Sequence, residues 1–180
     1  MIAQHRPTSI HHDYQMHGAV ILALVVPVYV CLSFVATQQV LKHPVVHDLV
    51  YVYSDSADVG VWVALILSGL LCLATRPDWN LLCRRLALMA TLKAVVQLVT
   101  IVPSPDVEYC RDAPIWTLKA CADMMFSGHT AFTYLILYKC KYRNLLTFFM
   151  AFELVMGDWH YTSDTIMAVI TAFAIEQYLT

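Results

Sequence analysis

From Ala19 to Leu41 the chain runs 23 residues without a charged side chain. A helix that crosses a bilayer needs roughly 20 predominantly apolar residues, so this run by itself predicts a membrane span. Pro27 does not weaken that reading, because in lipid the neighbouring helices can satisfy the backbone groups a proline frees. Similar runs recur. Val59 to Thr75 ends at Arg76-Pro77, and Leu86 to Val102, interrupted only by Lys93, ends at Pro103-Ser104-Pro105. Three shorter runs follow, Met124 to Cys140, Tyr142 to Gly157 and Asp164 to Thr180; they carry polar groups and are expected to pack tightly on one another. The 180 residues are 59% apolar and 13% charged, where soluble domains average about 45–50% and about 25%. The expectation is therefore an all-α fold, a polytopic six-transmembrane helix bundle. A tail over 1–18 precedes a six-span domain over 19–180.

Composition also excludes. So little charge rules out disorder and an ordinary cytosolic enzyme, and a net charge of −2 leaves no pull toward nucleic acid. Residues 1–18 lack the apolar stretch of a cleavable signal. Orientation follows the Lys/Arg bias. In a six-span reading one side receives Arg6, Arg76, Arg84, Arg85, Lys139, Lys141 and Arg143, while the other receives mostly acids, among them Asp48, Asp55, Asp106, Glu108, Asp112, Asp123 and Asp158. The basic side, with both termini, is expected to be cytosolic and the acidic side lumenal or extracellular.

Two segments on the acidic side carry chemistry. In Ser127-Gly128-His129-Thr130 the fourth span begins at Ser127, so free N–H groups and the positive helix end can face an anion, with His129 beside it. In His160-Tyr161-Thr162-Ser163-Asp164 the histidine and the carboxylate stand four apart, which puts them on one face of a helix. A carboxylate at that offset fixes the imidazole tautomer and stabilises its positive charge. Either motif alone is common by chance. Their agreement on one face of the topology is the stronger argument.

Together these motifs resemble the sphingomyelin synthase family of lipid phosphotransferases, within the type 2 lipid phosphatase-like superfamily. The resemblance rests on Cys121-Ala122-Asp123, Ser127-Gly128-His129-Thr130 and His160-Tyr161-Thr162-Ser163-Asp164. It extends upstream to Val45-Val46-His47-Asp48-Leu49 and Thr100-Ile101-Val102-Pro103-Ser104-Pro105. The chain departs from the family pattern where Ala122 replaces a glycine and Lys93 an arginine, and its loop before Cys121 is shorter. It lacks the Lys-x6-Arg-Pro signature of the lipid phosphatases, which favours a transferase.

The resemblance implies a phosphotransferase that moves a phospho-head group from a glycerophospholipid to a ceramide-type alcohol through a phosphohistidine, releasing diacylglycerol. His160 would be the nucleophile, Asp164 its orienting carboxylate and His129 the alternating acid and base. Ser127 and Gly128 would hold the phosphoryl oxygens. Asp123 and Asp158 would position a cationic head group or tune the histidines. No metal and no organic cofactor are implied, and the partners are the phospholipid donor and the ceramide-like acceptor, with homo-oligomerisation left open. Golgi or plasma membrane is the implied location. The alternatives are a lipid phosphate phosphatase and an inactive membrane interaction protein.

Three further readings stand beside these. Lys93 and Glu153, ionisable groups within apolar runs, are expected to face the interior, either paired with each other or with Lys93 reaching a phosphate. Cys110 and Cys121, with ten residues between them in one non-cytosolic loop, are candidates for a disulfide. Cys31, Cys72, Cys83 and Cys140 are expected to stay reduced.

Overall fold

A computed structural model describes residues 18–32, 57–100, 126–157 and 159–179. The described residues form six helices: α1 over 18–32, α2 (Ala57–Ala74), α3 (Trp79–Val99), α4 (Gly128–Ile136), α5 (Arg143–Met156) and α6 (Thr162–Tyr178).

Local chemistry explains the boundaries. Thr75 and Arg76 close α2, with Arg76 in the left-handed region at φ 48° and Pro77 following. Asp78 then caps α3, its side chain accepting from the Leu81 N–H at 3.1 Å. Ser127 caps α4 in the same way, accepting from the Thr130 N–H at 3.2 Å. At the start of α6 the Asp164 carboxylate reaches back to the Tyr161 N–H at 3.0 Å, which satisfies a donor the helix leaves open.

Short α4 sits at the centre and packs on α2, α3, α5 and α6. Its Ala131 and Leu135, and Leu137 just past its end, are fully buried among Leu82, Leu86 and Met89 of α3 and Ala168, Ala172 and Ile175 of α6. Ala168 and Ala172, one turn apart, keep that face of α6 thin enough for α4 to approach. A second cluster joins Val61 and Ala64 of α2 to Met150 and Leu154 of α5 and to Trp159.

A polar knot ties four helices at the end remote from α4's start. Glu176 of α6 accepts from Arg143 of α5 at 2.7 and 2.9 Å and from the Tyr134 hydroxyl of α4 at 3.2 Å. Arg85 of α3, 3% exposed, stands 4.0 Å from the same carboxylate and over the Tyr138 ring.

The six-transmembrane expectation is corrected here. No helix among the described residues is long and apolar enough to cross a membrane. At 1.5 Å per residue, the 9 residues of α4 rise about 13 Å and the 14 of α5 about 21 Å, against a hydrocarbon core of roughly 30 Å. The 17 residues of α6 and 18 of α2 reach about 25 and about 27 Å. Only α3, at 21 residues, is longer, and it carries Arg84, Arg85 and Lys93. The largest overstatement is in Met124 to Cys140, where hydropathy does not register the cap at Ser127 or the turn from Leu137 onward. The multi-pass location, its Golgi or plasma-membrane assignment and the cytosolic placement of both termini fall with the spans. The apolar excess lies partly on outer faces instead, at Val63, Ile66 and Leu70 of α2 and Ile166, Ile170 and Phe173 of α6. Residues 1–17, the first part of the expected tail, lie outside the described residues.

Candidate active site

Two separate stretches of sequence meet at the start of α4. The Ser127 N–H donates to the Asp164 carbonyl at 3.0 Å, joining the two motifs through backbone alone. Ser127 is fully buried, and its hydroxyl also accepts from the Thr130 hydroxyl at 3.1 Å. Its amide and its side-chain oxygen thus hold the site together. The N–H groups of Gly128 and His129, next in line, have no acceptor among the described residues and remain the donors at this helix end.

The turn between α5 and α6 brings in the second histidine. Gly157 ends α5, its N–H donating to the Glu153 carbonyl, and the Trp159 and His160 N–H groups both donate back to the Leu154 carbonyl at 2.9 and 3.2 Å. A Cβ on Gly157 would stand 3.1 Å from the Trp159 ring and 3.2 Å from Ala57, so a side chain there would push one of them by a few tenths of an ångström. The fold-back sets Trp159 edge-on to His129, centroids 5.5 Å apart, and His160 at 6.4 Å from His129. His160 is 6% exposed and its Nδ1 lies 3.5 Å from the Asp164 Oδ2. Asp164, itself buried, also accepts from the Ser163 hydroxyl at 3.2 Å. The Nδ1 side of the His160 ring thus faces the Asp164 carboxylate.

Lys93 enters from α3. It is 4% exposed, and its Nζ donates to the Phe126 carbonyl at 3.0 Å, over the rings of Phe126 and, from α1, Tyr29. The same Nζ would be 2.8 Å from a Cβ on residue 128, so Gly128 opens the room in which the ammonium group sits. Lys93 is thus beside the free N–H groups of α4. Glu153 lies elsewhere, its carboxyl against Gly60 of α2.

The electrostatics follow. Burial pushes the His129 pKa down to about 3, helped by the positive charges of His160 and Lys93. His129 is therefore neutral at pH 7 in the unliganded site. The cluster offers an imidazole oriented by a carboxylate, a neutral imidazole facing it, an ammonium group and two backbone donors. Such a set suits attack at a phosphorus bearing negative oxygens.

His129, His160, Asp164, Ser127, Gly128 and Lys93, all expected at the site, come together, with the Ser127 amide bonded to the Asp164 carbonyl and its hydroxyl oxygen to Thr130. Asp123, Asp158, Cys110 and Cys121 lie outside the described residues. Cys31, Cys72, Cys83 and Cys140 are free thiols. Trp159, edge-on to His129, was not assigned a role. Its position directly before His160 in a tight turn after Gly157 was the available signal. Among the described residues no three His, Cys, Asp or Glu side chains group to hold a metal.

The chain matches no model of a known protein family, and no curated protein matches it.

Proposed function

We propose that the chain is a phosphotransferase that moves a phospho-head group from a glycerophospholipid to a ceramide-type alcohol, with His160 carrying the group in between. The observation that supports it most is the meeting of His129, His160 and Asp164 across the Ser127 to Asp164 backbone bond. In the first half, Nε2 of His160 attacks phosphorus, the P–N bond forms, and the P–O bond to diacylglycerol breaks. His129 gives its proton to the departing oxygen. A bound phosphodiester anion raises the proton affinity of His129 by countering Lys93 and His160, so the proton is in place when the substrate is. In the second half the acceptor hydroxyl attacks, His129 takes its proton and the P–N bond breaks. Lys93 and the Gly128 and His129 N–H groups hold the phosphoryl oxygens.

The test separates the two histidines. A donor lipid with radioactive phosphate should label the wild-type protein, and His160→Ala should abolish the label. His129→Ala should recover part of it with a nitrophenyl ester donor, whose leaving group needs little protonation, whereas His160→Ala should recover none. Equal responses of the two mutants sink the assignment. Supplying labelled ceramide then decides the acceptor: a new phospholipid supports the transferase, free phosphate a phosphatase, and neither an inactive protein.

A further inference from the structure

Two consecutive residues of one turn flank His129. Trp159 meets it at 5.5 Å between ring centroids and 78° between ring planes, and His160 at 6.4 Å. The first spacing falls within the about 4.5–7 Å at which aromatic rings attract edge to face. The backbone N–H groups of both residues donate to the Leu154 carbonyl, so one anchor at the end of α5 presents both rings. What lies behind the two rings differs. His160 backs onto the Asp164 carboxylate. Trp159, 7% exposed, is seated in the apolar cluster of Val61 and Ala64 from α2 and Met150 and Leu154 from α5. A ring packed at the density of a protein interior has little room to shift, so it is a fixed wall for the imidazole it meets.

The charged and titratable groups facing His129 are Lys93 from α3 and His160, with Asp164 of α6 beyond it. The Glu153 carboxyl of α5 lies against Gly60 of α2. From the side of α2 and α5, it is the Trp159 ring that meets the imidazole. Burial is the largest cause of the lowered His129 pKa, and an indole excludes water without adding a charge.

We propose that Trp159 is the positioning residue of His129: its indole, fixed in the cluster between α2 and α5, sets the imidazole opposite His160 and keeps water from that side of it. The purpose of that placement rests on the phosphotransfer reading, in which His129 passes a proton at the phosphorus held by His160; the placement itself rests on the ring geometry.

Two measurements test this. In the first, ring signals of isotope-labelled histidine are followed by NMR from about pH 8 to about pH 5, and that of His129 is assigned by its loss in His129→Gln. The wild-type ring should stay neutral throughout. In Trp159→Leu, water reaches the ring and its pKa moves back toward 6.5, so it should begin to protonate above about pH 5. Trp159→Phe, which keeps an aromatic ring in the seat, should stay closer to wild type. Met150→Ala, a cavity in the same cluster away from His129, controls for loss of packing and should leave the titration where it was. A wild-type ring that titrates near 6.5, a Trp159→Leu ring that stays neutral, or a Met150→Ala shift as large as that of Trp159→Leu overturns the proposal.

In the second, phosphate labelling with the lipid donor should fall roughly tenfold or more in Trp159→Leu, and the nitrophenyl ester donor should recover part of it, as for His129→Ala. Wild-type labelling matched by Trp159→Leu with the lipid donor overturns the positioning role and leaves the transferase standing. If the titrations behave as expected but no form of the protein is ever phosphorylated, the transferase reading fails while the hold of Trp159 on His129 stands.

Discussion

Gly128 and Lys93 show how closely one residue's absence of a side chain fits another's charge. Gly128→Ala places a methyl group 2.8 Å from Nζ and 3.2 Å from Cε of Lys93. The flexible lysine can withdraw, so stability should change by less than about 1 kcal/mol. Phosphate labelling should nevertheless fall roughly tenfold or more, since small misplacements in a site cost that much. A thermal melt beside the labelling assay checks both halves. His129 gives a pH prediction. Its folded pKa, about 3, lies below the ordinary 6.5, so the unfolded chain takes up a proton near pH 6.5 that the folded chain refuses until about pH 3. The folded state is therefore unaffected by this group above pH 6.5 and loses stability as pH falls, at up to about 1.4 kcal/mol per unit. Denaturant titrations of wild type and His129→Gln should diverge below pH 6.5, with the mutant less acid-sensitive; parallel curves contradict a buried neutral imidazole. The pairing of His160 with Asp164 was legible from their spacing. The use of the Ser127 amide for Asp164 was not, because backbone bonding between distant segments leaves no mark on side-chain identity.

Helix ends carry the element-scale predictions. Arg76 holds a left-handed φ just past α2, where a glycine is favoured. Arg76→Gly should therefore raise stability by about 1 kcal/mol, read as a higher denaturation midpoint with unchanged slope. The Lys139 Nζ donates to the backbone carbonyl of Arg76, which the substitution retains. Asp78→Ala should cost about 1 kcal/mol through loss of the α3 cap. The all-α class and the order of helices were legible because each described helix falls on or overlaps an apolar run. Their lengths were not. Met124 to Cys140 reads as one uninterrupted run, yet Ser127 begins its helix and Ile136 ends it. That difference of eight residues separates a run close to spanning length from a helix far short of it.

At the scale of the whole molecule, the Glu176 knot holds α3, α4, α5 and α6 at the end away from the histidines. Glu176→Gln leaves Arg85, 3% exposed, and Arg143 without their carboxylate. Arg143 and Glu176 are 22% and 15% exposed, so losing their charged hydrogen bonds should cost about 1.5–3 kcal/mol, and the denaturation midpoint should drop below that of wild type. A loss under 1 kcal/mol shows that the knot is solvated. The backbone bond between Ser127 and Asp164 has a different consequence. It is the junction of α4 with the start of α6, and it lies on amides that no side-chain change removes. Whenever the two halves of the site separate, the Ser127 amide is released to water; while they are joined, it is shut away at 0% exposure. Hydrogen exchange at that one amide therefore counts how often the histidines part company, and gives the opening free energy of the site without substrate, mutation or assay.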